Sequence, residues 1–251
     1  LRSLATGGKK EDFFQRAINE YEEADQEFKL ARNTFFRALV KNNVGFLFYK
    51  LSRFRQAHEY LNQARRLTAI VKDKVRTAQV DETRAQVFIA EQRFAEAESA
   101  ARNAARTFEK SGRQCFLAEA LITQGIALAR LKQIERAQFI FQKAIEVAHE
   151  SGALNRAGLA ALTMIEEMDD QLPPEILSAA YEQAGEWLAD CQSEDIKPRL
   201  EAAEKKLALA GIQKHKGTAE ILFNKQYRLP DEVLRFEGEL IKSTLTKVNG
   251  S

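Results

Sequence analysis

With 251 residues the chain is long enough for one large core or for a string of small units, and its 12 Gly and 4 Pro are few for a protein of loops and strands. No uncharged apolar run approaches the ~18 residues of a membrane span, so the sequence excludes a spanning helix. Net charge is +2, but residues 1–195 carry 27 Lys and Arg against 29 Asp and Glu, so by composition the body is not a polyanion binder, whereas residues 196–251 carry 11 against 7.

The first residues, LRSLATGGKKED, lack the apolar core of a signal peptide, and the absence of an initial Met suggests a fragment or a processed form. From Phe14 the chain repeats every forty residues. Phe14, Phe54, Phe94 and Ile134 form one column, and Ala17, Ala57, Ala97 and Ala137 a second. Tyr21, Leu61, Ala101 and Phe141 form a third, and Ala24, Ala64, Ala104 and Ala144 a fourth. The steps between columns (three, four, three) are those of an amphipathic helix. Pro174, Leu177, Tyr181 and Ala184 give a fainter fifth copy.

The preceding half of each copy predicts a second helix. Its columns are Gly45, Ala85, Gly125, Ile165 and Phe48, Phe88, Leu128, Met168. A mid-helix Gly costs ~1 kcal/mol, so Gly45 and Gly125 are expected at tight helix crossings. Polar turns such as LSRF (Leu51–Phe54) join the two helices. Ser-Gly pairs in KSGRQ and ESGAL stop one copy before the next. After Leu188 the frame breaks. Pro198–Gly211 predicts one helix, with Pro at its start and Gly at its end, that caps the last apolar stripe.

Asn42 to Ala64 resembles a tetratricopeptide repeat. Gly45, the aromatics Phe48 and Tyr49, Phe54, Ala57 and Ala64 stand at that family's spacing, and the resemblance covers roughly Glu11 to Leu188. Three features depart from it. The period is forty instead of ~34, Ser-Gly replaces the closing Pro, and the large residue opening the first helix is polar at Lys41 and Asp81 but apolar at Leu121. The resemblance implies an all-α fold: a right-handed superhelical array of about five antiparallel helix pairs with a C-terminal capping helix. It also implies that the first helix of each pair lines a concave face able to hold a protein or peptide. In this register the face comprises Asn42, Phe46, Tyr49, Lys50, Gln79, Glu82, Gln86, Glu119, Thr123 and Arg130. Carboxamide, aromatic and charged groups together suit a peptide backbone and its charges.

No catalytic constellation appears, so no enzyme activity, metal or cofactor is expected. His58, His149 and His215 do not cluster, and neither a Gly-rich phosphate loop nor a nucleophile elbow is present. Cys115 and Cys191 form neither a disulfide framework nor a zinc knuckle, which points to a reducing, cytoplasmic setting. Cys115 reads as a small apolar residue, Trp187 as the plug of the last repeat, and the carboxylates Glu166, Glu167, Asp169 and Asp170 as a solvated helix end.

The ending, LPDEVLRFEGELIKSTLTKVNGS, has a helix start at Pro230-Asp231-Glu232 and a stop at Asn249-Gly250. Glu239, Leu240, Ile241, Leu245, Asn249 and Gly250 resemble the opening of a Fis-type helix-turn-helix domain of bacterial activators. That resemblance implies the sensing or interaction part of a bacterial transcription regulator, with DNA read only by a module outside this chain. A scaffold that assembles other proteins and never meets DNA is the alternative. Leu240, Ile241 and Leu245 form an apolar face suited to a homodimer contact. The expected organisation is repeats over 1–190, a cap over 191–211, a linker over 212–228 and the start of the helix-turn-helix domain over 229–251.

Overall fold

The structure is a computed structural model. It describes residues 2–191, 193 and 195–209, with side chains from residue 11 to residue 207 within those bounds. The expected linker, the tail helix and its face of Leu240, Ile241 and Leu245 lie outside the described residues.

Ten helices make up the described residues: α1 (Arg2–Leu30), α2 (Thr34–Lys50), α3 (Phe54–Ile70), α4 (Lys74–Ala90), α5 (Phe94–Lys110), α6 (Gln114–Arg130), α7 (Ile134–Glu150), α8 (Leu154–Met168), α9 (Pro174–Trp187) and α10 (Ile196–Leu209). From α2 to α9 each helix begins twenty residues after the last. One turn type sets this spacing. After α2, the Arg53 N–H donates to the Phe48 carbonyl and the Ser52 N–H to that of Tyr49, both at 2.9 Å. These paired bonds are a Schellman motif, which closes a helix through one residue in the left-handed region. The pair recurs at every junction from α1 to α8. The left-handed residues are Arg32, Ser52, Lys72, Gln92, Gly112, Lys132 and Gly152. Ser-Gly therefore marks two of seven equivalent stops. The other five hold non-glycine residues where a Cβ is crowded.

Packing follows pairs of positions sixteen residues apart. A Cβ on Gly45 would stand 2.7 Å from the Leu61 side chain, and one on Gly125 would stand 2.9 Å from the Phe141 ring. Where both positions are Ala, at Ala85 and Ala101, both are fully buried. A glycine thus faces a large side chain at two crossings, and two alanines face each other at the crossing between them. A second pair of positions explains the polar residues Lys41 and Asp81, which the structure places in the middle of α2 and α4 instead of at their start. Lys41 pairs with Asp25 at 2.8 Å, and Asp81 with Arg65 at 2.8 Å. One repeat later the same positions are Leu121 and Ala105, both buried. The departure from the family pattern is therefore an exchange of an apolar contact for an ion pair, with its sign reversed between copies. Burial acts to raise the Asp25 carboxyl, but hydrogen bonds from Lys41 and Arg37 outweigh it and hold the group below its usual value.

Each helix packs on its neighbours in sequence. The even-numbered helices also touch one another, α2 with α4, α4 with α6, α6 with α8 and α8 with α10, whereas among the described residues no two odd-numbered helices do so. The even series therefore occupies the inner side of the curved stack. Helix α10 lies against α8 and α9, and its Ile196, Ala203 and Leu207 are buried in the main core as the cap.

Three expectations change. Cys115 is exposed, so it packs in no core. Trp187 is only half-buried, beside His149 at 5.2 Å between rings. The plug is Leu188, which fills the space where a Cβ on Gly158 would meet it at 2.6 Å. The carboxylate run is not simply solvated: Glu167 pairs with Arg130, Glu166 with Arg199 and Asp169 with Lys206. It fastens α8 to α6 on one side and to α10 on the other.

Candidate ligand groove on the inner helices

Between α2, α4 and α6 lies a cleft of about 200 Å³. It exists because each inner helix turns the same register positions toward the axis of the curve. Asn42, Gln79, Glu82 and Glu119 all line it. Sequence reasoning missed six other lining residues: Leu39, Asn43, Arg76, Thr83, Phe108 and Phe116. Leu39 was legible, since it stands six residues before Gly45, as Gln79 and Glu119 stand before Ala85 and Gly125. Arg76 and Phe116 sit one turn earlier in the same register.

Glu82 is the buried centre of this wall, at 9% exposure. Its Oε1 accepts from Gln86 Nε2 at 2.7 Å and from Thr123 Oγ1 at 2.9 Å. Thr123, expected on the groove face, is itself buried and serves as a tie from α6 to α4. Burial raises the Glu82 carboxyl above its ordinary value. The Gln86 and Thr123 bonds act against that, and the Glu119 charge adds to it. The Tyr49 hydroxyl is raised above its ordinary value by burial and then by the charge of Glu82.

Farther along α2, Phe46 and Tyr49 hold their rings 5.9 Å apart, and Lys50 Nζ stands 5.0 Å from each ring centroid. Both rings are half-buried, so each keeps an open edge. Arg76 lies 4.8 Å over the Phe35 ring and donates to Gln79 Oε1 at 3.2 Å. Glu119 is engaged by Arg156 of α8 at 2.9 Å. Arg130 stands apart from the cleft, gripping Glu167 with two bonds at 2.5 and 3.0 Å. The structure thus divides the expected face. Asn42, Phe46, Tyr49 and Gln79 remain available, whereas Glu119, Thr123 and Arg130 tie adjacent repeats together.

Among the described residues no group of three His, Cys, Asp or Glu gathers to hold a metal, and no helix is long and apolar enough to cross a membrane. His58 bonds Glu91 at 2.8 Å beside the Phe88 ring, far in sequence from the other histidines.

No protein-family model and no curated protein sequence matches the chain. Its fold is similar to that of aspartyl phosphate phosphatase F from Bacillus subtilis, with a TM-score of 0.63 and 16% identity over 82% of this chain. The match covers 57% of that protein's length. A looser likeness, with a TM-score of 0.46 and 12% identity, relates 83% of this chain to 94% of BtubC (BKLC) from P. vanneervenii. The fold is an all-helical, tetratricopeptide-like array of antiparallel helix pairs closed by a capping helix.

Proposed function

We propose that the inner face of the array binds a peptide or an exposed segment of a partner protein, and that the chain carries out no catalysis. One observation carries this reading: two successive inner helices, α2 and α4, bring carboxamides (Asn42 and Gln79) to one cleft, and α2 holds half-buried aromatic rings (Phe46 and Tyr49) farther along. A carboxamide both donates and accepts, as a peptide backbone requires, and an aromatic edge receives the side chains between those bonds. A phage-displayed library of random peptides, panned on the full chain, tests it. Recovered peptides should bind Asn42→Ala and Tyr49→Ala at least tenfold more weakly. Arg55→Ala, on an outer helix with a side chain 92% exposed, should leave affinity unchanged. Equal affinity for all four proteins contradicts the reading.

The finer reading, an interaction domain of a bacterial transcription regulator, is supported by the resemblance at Glu239 to Gly250. It predicts that residues 1–251 bind DNA weakly or not at all, because DNA affinity needs several phosphate contacts and the DNA-reading helices lie beyond this resemblance. A salt-sensitive nanomolar affinity in a mobility-shift assay contradicts it. The same reading has Leu240, Ile241 and Leu245 pairing two chains, as the symmetry of many operators favours. Sedimentation should then give a dimer for the full chain and a monomer for one ending at Gly211. A monomer in both cases removes the dimer.

A further inference from the structure

We propose that the cleft between α2, α4 and α6 receives a positively charged group of the bound peptide, an ammonium or guanidinium, on the Glu82 carboxylate and the Asn42 carbonyl oxygen. This rests on the peptide-binding reading above and names what the peptide must carry.

Two acceptors on different helices lack donors. Both bonds to Glu82 end on Oε1, so among the described residues Oε2 receives none. Their donors, Gln86 and Thr123, are neutral, and among the described residues no Lys, Arg or His pairs with Glu82. Asn42 Oδ1 is buried and has no hydrogen-bond partner among the described residues, and Asn42 lines the same cleft. The comparison within the molecule is direct. Glu98, buried to the same degree, has Arg102 and Arg136 at 3.6 and 3.5 Å as well as a bond from Gln124. Burying a carboxylate without a cation is costly unless something charged arrives. Of the other charges around the cleft, the Glu119 carboxylate is paired and the Arg76 guanidinium is turned onto neutral groups. Glu119 is held by Arg156, and Arg76 lies over Phe35 with a bond to Gln79. A ligand cation therefore meets one unpaired carboxylate oxygen and one unpaired carbonyl, and it has the donors both need.

The test uses the peptides recovered from the displayed library, bound to the full chain. They should share a Lys or Arg at one fixed position, or should lose affinity on N-acetylation if the cation is the terminal ammonium. For the best peptide, Glu82→Gln should weaken binding at least tenfold. The same peptide with its cation replaced by norleucine, or with its amine acetylated, should bind both proteins alike. Asn42→Ala should show the same coupling more weakly. Peptides with no shared cation, or a Glu82→Gln loss that is equal with and without the cation, overturn this assignment and leave the groove reading standing. Failure to recover any peptide overturns both.

Discussion

At the scale of single residues, Glu82 is where burial and charge conflict most directly. Its folded carboxyl is raised above the ordinary 4.5, so between those two values the folded chain binds more protons than the unfolded chain. Stability contributed by this group is therefore present at low pH and is lost as pH rises through the folded value. Glu82→Gln, which keeps an oxygen for Thr123 and Gln86, should raise the melting temperature at pH 7. The gain should shrink as pH falls toward 4.5. A melting temperature lowered by Glu82→Gln at pH 7 would mean that the charge is compensated in the free protein. The glycines give an equally local contrast. Gly45→Ala forces a Cβ against buried Leu61 and should cost roughly 1–3 kcal/mol. Gly185→Ala in α9 meets nothing within 4 Å and should gain about 0.5–1 kcal/mol from helix propensity. Chemical denaturation of the two variants checks the signs. Gly45 and Gly125 were legible as crossings because a glycine costs a helix stability, and one that recurs in a single column must return that cost through close packing. The buried charge on Glu82 was not legible, because a Glu at a groove position looks the same whether its carboxylate meets water or neutral donors.

At the scale of helices and turns, seven stops share one geometry, and the sequence announces it only at Gly112 and Gly152. The other five are hidden because the backbone bonds of the motif, not the side chain, hold the left-handed residue. Lys72→Gly and Gln92→Gly should each stabilise by about 0.5 kcal/mol, the relief at positive φ less the chain entropy of glycine. Gly152→Ala should destabilise. Loss of stability in both glycine variants would show that those side chains contribute contacts that offset the strain. The alanine columns were readable from the second copy onward, since Ala57, Ala97 and Ala137 are all completely buried, whereas Ala17 and Ala24 of the first copy are only half-buried. Ala97→Leu or Ala137→Leu should overpack a crossing at a cost of roughly 1–3 kcal/mol. The ion pairs Lys41–Asp25 and Asp81–Arg65 were visible only as an irregularity at Lys41 and Asp81, because their partners lie on the preceding outer helix and carry opposite signs in successive copies.

For the whole molecule, the stack is curved because its even-numbered helices touch and, among the described residues, its odd-numbered helices do not. That asymmetry makes the even series a continuous inner wall. Along it, Thr123 to Glu82, Arg156 to Glu119, Arg130 to Glu167 and Arg199 to Glu166 lace the inner helices from α4 to α10. The register brings Asn42, Gln79, Glu82 and Glu119 to one cleft. It did not separate residues that lace the wall from those that face outward from it, because both kinds are polar and share the same helical positions. The proposed peptide face uses Asn42, Phe46, Tyr49 and Gln79 from the groove-facing set, and Glu82 belongs to both sets. Fluorescence anisotropy of one library-selected peptide should therefore be read against the full chain and against Asn42→Ala, Tyr49→Ala and Arg55→Ala. Affinity should fall at least tenfold for the first two variants and stay unchanged for the third. Identical binding by all four proteins would contradict a peptide site on this wall.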